Sequence, residues 1–276
     1  MKKLQDTPFE AYFLEGSKGR LFGLYIPALG TPRGQLLCIP PFAEESNRSR
    51  AMLGMAARAL AHQGFGTLIL DLYGTGDSDG DFDQADWSVW LDDIGTGIQW
   101  LQQKKGQLTL WGTRLAALLV TDAAARQPDA ITRLLYWQPV SNGKTLFTQY
   151  LRLRVANSLE NSGTQETTKT LRERLANGET LEIGGYYISP AMAAGLDAAV
   201  MPEASSLAGI RIDWLEVVGE GKHELPPGSK KFVDGWQAQQ LNVHSHPFSG
   251  PPFWQLYERF IAPDLVSKTL QVMNDE

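Results

Sequence analysis

Residues 108–116, which read LTLWGTRLA, decide the fold prediction because they contain a strand, a tight turn and the start of a helix. The apolar run 108–111 is typical of a strand that is buried on both faces of a parallel sheet. Gly112 follows this run, and residues 114–126 have the apolar spacing of a helix. A strand that passes directly into a helix is the repeating unit of an α/β fold.

The same alternation continues on both sides of this stretch. Apolar runs at 35–39, 67–70 and 134–137 predict three more buried strands, and residues 47–63 predict a helix after the first of them. Between residues 87 and 101, apolar side chains recur on one helical face. Consecutive β-α-β units predict a doubly wound, mostly parallel sheet whose ligand site lies at the carboxyl ends of its strands.

The alternation stops after residue 140 and resumes near residue 209. Residues 141–208 read as helical and irregular, and an insertion of this length between two parallel strands is usually a lid over the site. We therefore predict a core formed by residues 1–140 and 209–276, with a helical cap at 141–208.

The two ends of the core also show regular patterns. β-type runs at 11–14 and 21–26, with glycines between them, predict a hairpin at the start. The end of the chain predicts a strand at 212–218, a helix near 229–240, a strand around 242–243 and a terminal helix from Trp254.

Composition excludes several classes of function. The chain has 276 residues, with 25 Lys and Arg against 31 Asp and Glu, one cysteine and four histidines. One cysteine forms neither an internal disulfide nor a cysteine-rich metal site, so we expect no metal and no cofactor. A net charge of −6 without basic clusters argues against a nucleic-acid partner.

No segment approaches the ~20 apolar residues of a membrane span. Because the sequence also shows no signal-peptide pattern, we expect a cytoplasmic protein.

A Gly- and Asp-rich loop follows the strand at 67–70 and reads DLYGTGDSDG over residues 71–80. It resembles the D-x-x-G-x-G-x-S loop that follows an early strand of α/β-hydrolases. Gly74 and Gly76 permit the positive φ angles of a tight reversal, and Asp71 can bond to loop amides. The resemblance implies an α/β-hydrolase fold with a cap insertion, and it bears on the fold more than on the reaction.

In an α/β-hydrolase, residues 112–116 would form the G-x-S-x-G nucleophile elbow, with strand, sharp turn and helix in place. Arg114 occupies the nucleophile position. A guanidinium stays protonated and offers only donors, so it neither attacks a carbonyl nor accepts a proton. Thr113 carries a hydroxyl, but one position away from the apex. The elbow therefore predicts the fold and argues against the reaction usual for it.

The loop that carries the catalytic histidine in this fold reads GPPFW over residues 250–254. Pro252 or Phe253 takes the position of that histidine. His244 and His246 come four to six residues earlier, and either substitutes for the missing base only if its strand ends early. Otherwise both are ordinary histidines at the end of a strand.

The loop after the strand at 35–39 reads PPFAEESNRSR over residues 40–50. Backbone N–H groups of Phe42 and Leu115 can face an anion. Arg114 can form a bidentate, partly buried pair with Glu44 or Glu45. Alternatively, the two carboxylates mark a helix start, where the helix dipole favours them. The candidate ligand-binding residues are Phe42, Glu44, Glu45, Arg48, Arg50, Arg114 and Leu115.

Several motifs together resemble one family, the exosortase A system-associated hydrolases, type 2, of the α/β-hydrolase superfamily. They are the loop 71–80, PFAEESNRSR at 41–50, WGTRL at 111–115, WQPV at 137–140, LRLRVA at 151–156 and GPPFW at 250–254. The resemblance implies a bacterial gene neighbourhood devoted to PEP-CTERM protein sorting and exopolysaccharide production. Members are called hydrolases for their fold, and the resemblance implies that Arg114 is a feature of the family.

Three functions remain open at this point. The protein can be a hydrolase of an ester or acyl substrate that works outside the usual triad, with Glu45, Arg114 and either Ser46 or His246 as catalytic candidates. It can be a pseudoenzyme that binds a small anionic acyl or sugar-related ligand through Arg114 and the loop 44–50. It can also be a protein partner of the sorting or polysaccharide machinery that uses its cap surface.

The predicted cap contributes two arginines of its own, Arg152 and Arg154. They either converge with the arginines of the core on an acidic ligand, or lie on a solvated helix face.

Overall fold

The computed structural model describes residues 6–161, 166–255 and 260–275 of the chain. The strands are β1 (Glu10–Glu15), β2 (Arg20–Ile26), β3 (Gly34–Ile39), β4 (Phe65–Leu70), β5 (Gln107–Thr113), β6 (Arg133–Trp137), β7 (Leu181–Ile183), β8 (Tyr186–Ile188), β9 (Arg211–Val218) and β10 (Val243–Ser249). The α-helices are α1 (Glu44–Ala61), α2 (Trp87–Gln102), α3 (Ala116–Arg126), α4 (Gly143–Asn161), α5 (Thr168–Ala176), α6 (Pro190–Ala198), α7 (Pro227–Ala238) and α8 (Pro263–Asn274).

Eight of these strands form one sheet in the order β1-β2-β4-β3-β5-β6-β9-β10. β1 pairs with β2, and β2 with β4, in antiparallel fashion, whereas the other neighbouring strands are parallel. This arrangement confirms the predicted hairpin and the predicted doubly wound, mostly parallel sheet. Because parallel strands end at the same edge, the loops after β3, β4 and β5 meet there.

Helices cover both faces of the sheet, which is why its central strands read as continuous apolar runs. α1 and α8 pack on one face around Met52 and Leu265. α2 and α3 pack on the other face around Ile94 and Leu119. Among the helices in the described ranges, none combines the length and apolar character that a membrane crossing requires.

The insertion between β6 and β9 contains α4, α5, α6 and a separate hairpin formed by β7 and β8. The apolar patterns predicted helices here but not the hairpin, because strands of three residues are too short to show a period. Two tyrosines of the insertion reach the core. Tyr150 packs edge-on against Phe42, with ring centroids 5.2 Å apart, and Tyr186 against Phe82, at 5.1 Å.

At the end of the chain, the predicted start of the terminal helix is wrong, and the predicted strand is present but longer than expected. The terminal helix begins at Pro263, where a proline at the first helical position loses no hydrogen bond, and Trp254 lies in a turn before it. The last strand runs on through Ser249 instead of lying around 242–243. Pro247 fits inside this strand because β10 is an edge of the sheet, where a missing N–H donor is tolerated.

Candidate functional site

Arg114 lies at the apex of a sharp turn between β5 and α3. Its φ angle is 57°, a left-handed conformation that costs a non-glycine residue about 1–2 kcal/mol. Its N–H donates to the carbonyl of Trp137 at 2.9 Å, and its own carbonyl accepts from Ala117 N at 3.1 Å. The strand, turn and helix therefore have the geometry of a nucleophile elbow, and the apex side chain is an arginine.

Gly112 allows this turn, because a Cβ atom there would lie 2.6 Å from the carbonyl oxygen of Ala116 and 2.7 Å from Cα of Ala117. We expect Gly112→Ala to destabilise the protein by about 3 kcal/mol, since these backbone atoms cannot move aside. The matched control is Gly235→Ala in α7, where a Cβ meets open space and alanine should add about 0.5–1 kcal/mol. Urea unfolding measures the stability of both variants. Equal free energies of unfolding would show that the turn at Gly112 has room for a methyl group.

The guanidinium of Arg114 forms a bidentate pair with the carboxylate of Glu45, at the start of α1. Nε lies 3.2 Å from both carboxylate oxygens, and Nη2 lies 3.1 Å from Oε1. The two side chains are only 14% and 8% exposed. The alternative partner, Glu44, instead accepts from Asn47 Nδ2 at 2.8 Å and lies 3.4 Å from Nε of Arg48. Of the two carboxylates left open by the sequence, Glu45 is therefore the partner of Arg114.

Burial governs the protonation of Glu45. It raises the pKa of this carboxyl above its ordinary value, and the charge and hydrogen bonds of Arg114 offset only part of that rise. Tyr150 from the insertion lies close enough that the negative charge of Glu45 adds to the burial that raises the pKa of its hydroxyl. Glu45 is thus enclosed by the core on one side and by the insertion on the other.

An indole ring, and not a histidine, packs on the side chain at the elbow. In the loop after β10, Trp254 covers the guanidinium of Arg114, with Cζ 5.1 Å from the ring centroid. Its neighbour Phe253 is fully buried against Trp137, with ring centroids 5.7 Å apart. Cation–π contact of this kind favours an arginine that stays in place. The loop after β10 thus packs on the elbow through Trp254, and its described residues, 250–255 and 260–262, include no histidine.

A second carboxylate, Glu216, lies buried in β9 on the other side of the elbow. It accepts hydrogen bonds from Trp214 Nε1 at 2.7 Å and from Ser229 Oγ at 3.0 Å. Burial raises its pKa, while these hydrogen bonds and the charge of Arg114 lower it in part. Arg114 therefore lies in the field of two buried carboxylates.

His246 does not reach the elbow. Its Nε2 lies 3.0 Å from Oδ1 of Asp213, a fully buried carboxylate in β9. Asp213 also accepts from Nε of Arg133 at 2.6 Å and from Nε of Arg211 at 3.1 Å. His246 faces this cluster because β10 remains a strand beyond it, so the early strand end required for a catalytic role does not occur. Elsewhere, His244 pairs with a neighbouring asparagine.

A cavity of ≈ 100 Å³ opens beside the elbow at the carboxyl edge of the sheet. Phe42 and Leu115, the two candidate backbone donors, both line it. Its other walls come from α1, from the loop after β4, and from α2, α3 and β8; they include Ser46, Asn47, Arg50, Gly74, Thr75, Gly76, Phe82, Trp90, Leu119 and Tyr186. Arg114 and Glu45 are not among the lining residues, because each is turned toward the other.

Arg50 reaches this cavity from α1 and also meets the loop after β4. Its Nη2 lies 3.0 Å and 3.1 Å from the two carboxylate oxygens of Asp71. Asp71 is almost fully buried, and it also accepts from the backbone N–H of Asp77 at 3.1 Å. Asp71 thus bonds to a loop amide as predicted, and in addition anchors an arginine at the cavity.

The arginines of the insertion do not converge on the cavity. Arg154 pairs with Glu166 at 2.9 Å and donates to the carbonyl of Glu182 at 2.7 Å. Arg152 is exposed. Across the described residues, no three His, Cys, Asp or Glu side chains come together in a way that would hold a metal ion.

Sequence reasoning missed four residues around the elbow, namely Trp254, Glu216, Tyr150 and Tyr186. A glutamate inside the apolar run of β9 was a usable signal, because a buried carboxylate in a strand needs partners. The tyrosines and the tryptophan carried no such signal, since aromatic residues on a helix or in a turn are usually part of the core.

The family whose sequence profile matches the chain is described as Serine aminopeptidase, S33 (Hydrolase_4), and the match covers residues 30–175. The matched range contains the elbow, Glu45 and the loop after β4. No curated protein sequence matches the chain significantly.

Three solved structures are similar to the chain over almost its whole length. Est1E from Butyrivibrio proteoclasticus with ferulic acid bound is 17% identical, with a TM-score of 0.65 over 95% of this chain and 98% of that one. A thioesterase domain from the curacin biosynthetic pathway is 18% identical, with a TM-score of 0.56 over 95% and 99%. An α-β serine hydrolase homologue from Coxiella burnetii is 15% identical, with a TM-score of 0.55 over 96% and 97%. At these identities the similarity concerns the fold, and it confirms the predicted α/β-hydrolase fold.

Proposed function

Because the chain belongs to the α/β-hydrolase family described as Serine aminopeptidase, S33, we propose that it keeps the architecture of a hydrolase for binding rather than for catalysis. On this proposal the protein is a pseudoenzyme with a degenerate triad, and it holds a small acidic or acyl ligand in the cavity beside the elbow. The observation that carries the proposal is the bidentate pair of Arg114 with Glu45 at the position of the nucleophile.

The chemistry of an acyl transfer explains why this pair argues against catalysis. Such a reaction needs a nucleophile and a base that takes its proton. Arg114 is neither, because it holds its protons and offers only donors. The four histidines all lie within the described residues, where His62, His244 and His246 are hydrogen-bonded away from the elbow and His223 is exposed in the loop after β9.

The cavity supports the binding part of the proposal. Phe42 and Leu115 occupy the positions from which this fold directs backbone N–H groups at an oxyanion, and both line the cavity. Tyr186 closes the cavity from the insertion, where its hydroxyl accepts from Asn47 Nδ2 at 3.3 Å. We accordingly take residues 141–208 as a cap that contributes a wall to the ligand site.

A second candidate function is hydrolysis of an ester or acyl substrate outside the usual triad. One observation favours it, namely that Ser46, a residue with a hydroxyl, is among those that line the cavity. Glu45 and His246 are the other catalytic candidates, and each is already engaged by a buried partner. A serine without an activating base is a weak nucleophile, so binding remains the better-supported function.

For the cellular role we propose an association with exosortase-dependent protein sorting and exopolysaccharide production, in the cytoplasm. The support is the set of motifs at 41–50, 111–115 and 250–254, which resemble the exosortase-associated hydrolases. On this proposal, a protein of that machinery would bind the cap surface.

A substrate panel tests the proposal. Purified protein is incubated with p-nitrophenyl esters, acyl thioesters and aminoacyl p-nitroanilides, and separately with a fluorophosphonate probe that labels activated serines. We expect no turnover above the buffer rate and no labelling. Ser46→Ala, Glu45→Gln and His246→Gln are assayed beside the wild-type protein to identify the source of any signal.

Turnover by the wild-type protein that Ser46→Ala abolishes would replace the binding proposal with the second candidate function. Turnover lost only in His246→Gln would show that this histidine leaves Asp213 during the reaction. Labelling by the probe would likewise contradict a non-catalytic elbow.

A further inference from the structure

Building on the proposed binding function, we propose that the ligand is a short-chain monocarboxylate and that Arg50, rather than Arg114, holds its charged end. The sequence alone pointed to Arg114 because it occupies the nucleophile position. The structure separates the two arginines by what their donors already contact.

Arg114 has little left to offer a ligand. Its Nε and Nη2 are both committed to Glu45, Trp254 covers its face, and it does not line the cavity. A guanidinium that is neutralised and covered in this way is a poor site for a further anion.

Arg50 lines the cavity and keeps donors free. Of its five N–H groups, only those on Nη2 are used, by Asp71. In the part of the chain that the structure describes, Nε and Nη1 of Arg50 have no acceptor. The side chain is 44% exposed and lines the cavity, so a ligand can reach these donors. An arginine held by one carboxylate is thus positioned to accept a second one.

The loop after β4 holds Arg50 in a fixed position. Gly76 also lines the cavity, and a Cβ atom there would lie 2.0 Å from Oδ2 of Asp71 and 2.9 Å from Nη2 of Arg50. Its φ angle of 54° is also one that glycine adopts at low cost. Because Asp71 in turn accepts the amide of Asp77, the guanidinium is preorganised and loses little freedom when a ligand binds.

Local charge indicates a single negative charge on the ligand. Asp71 already compensates Arg50, and the negative charge of Asp77 adds to that of Asp71, so a doubly charged phosphate would meet repulsion that a monocarboxylate largely avoids. Ser46 also lines the cavity, and its hydroxyl can donate to the second oxygen of a carboxylate.

Most of the other residues that line the cavity are apolar, and the cavity is small. Phe42, Phe82, Trp90 and Tyr186 pack edge-on around it, with ring centroids 5.1–6.0 Å apart. Its volume of ≈ 100 Å³ is below the roughly 150 Å³ that holds a benzene molecule in an engineered cavity. The apolar part of the ligand is therefore short, on the order of three or four carbon atoms.

Calorimetric titration of the full chain tests this assignment with acetate, butyrate, octanoate and the neutral butyramide as probes. We expect butyrate to bind at least tenfold more tightly than butyramide. Arg50→Lys keeps a charge opposite Asp71 but loses the guanidinium fork, so it should weaken butyrate binding at least tenfold. Arg58→Gln, near the far end of the same helix, is the matched control and should change it less than twofold.

Equal binding of butyrate and butyramide, or unchanged affinity in Arg50→Lys, would overturn the assignment of Arg50. Loss of butyrate binding in Arg114→Gln, with Arg50→Lys unaffected, would move the anion back to the elbow. Failure of every acid to bind the wild-type protein would overturn the ligand class. In all these cases the non-catalytic proposal stands, since only turnover of a substrate or labelling by the fluorophosphonate probe contradicts it.

Discussion

Arg114→Ala is expected to destabilise the protein by about 3–5 kcal/mol, the range found when one partner of a buried ion pair is removed. The variant leaves the carboxylate of Glu45 enclosed between the core and Tyr150 with no cation beside it. It also removes the side chain that Trp254 covers. Urea unfolding at pH 8 measures the loss, and a change below about 1 kcal/mol would show that the pair behaves as a surface salt bridge.

The loss of stability caused by Arg114→Ala should depend on pH. Burial already raises the pKa of Glu45 in the wild-type protein, and without Arg114 it rises further. A carboxyl whose pKa is higher in the folded protein than in the unfolded chain destabilises the native state when it ionises. The loss of stability is therefore largest at pH 8, and it becomes smaller as the pH falls and Glu45 is protonated. The control is Arg114→Met with Glu45→Leu, which should recover most of the stability because an apolar pair needs no counter-charge.

Asp213→Ala is the second substitution with a large expected effect, again about 3–5 kcal/mol. Asp213 is fully buried and accepts hydrogen bonds from Arg133, Arg211 and His246. Its removal leaves two largely buried guanidiniums without their counter-charge. The matched control is Asp234→Ala, whose pair with Lys230 is about half exposed and should contribute no more than ~0.5 kcal/mol.

The pH dependence of this second cluster has the opposite sign. Burial acts to raise the pKa of Asp213, but the hydrogen bonds of His246 and the arginines outweigh it and hold the pKa below its ordinary value. The contribution of Asp213 to stability is therefore complete at pH values above the pKa that its carboxyl has in the unfolded chain. It is lost as the pH falls through the lower pKa that the carboxyl has in the folded protein. The difference in unfolding free energy between the wild-type protein and Asp213→Ala should therefore become smaller as the pH falls. A difference that grows in acid would contradict a lowered pKa of Asp213.

The two predictions distinguish the elbow from the histidine cluster. If Asp213→Ala destabilises the fold while the substrate panel is silent, the cluster of Asp213 with His246 and the two arginines contributes to stability and not to catalysis. If Arg114→Ala does the same, the arginine at the apex supports the elbow that, in a catalytic hydrolase, carries the nucleophile.

Much of the fold was predictable because most elements of the core have their own local pattern. β3 and β4 are continuous apolar runs, since both of their faces are buried. α2 shows one apolar face, and its observed bounds, Trp87–Gln102, contain the predicted stretch. The errors occurred where local pattern is ambiguous, as at Trp254, which is apolar but lies in a turn.

The pair of Arg114 with Glu45 was also within reach of the sequence, because topology alone brings the two together. β3 and β5 are parallel neighbours, with Ile39 opposite Gly112, so the residues that follow them meet at the carboxyl edge. The choice between Glu44 and Glu45 was not predictable. Consecutive helix residues point about 100° apart, and the packing of α1 on the sheet decides which carboxylate faces the elbow.

The sequence by itself determined the α/β-hydrolase fold, the arginine at the apex and the two carboxylates within its reach. These features depend on short-range periodicity and on the order of neighbouring strands. Only the tertiary structure decided that Trp254 covers Arg114, that His246 turns to Asp213 and that Arg50 rather than Arg114 lines the cavity. The physical reason is that these contacts depend on how side chains distant in sequence pack together and share hydrogen-bond donors. Such long-range packing leaves no pattern in the local sequence.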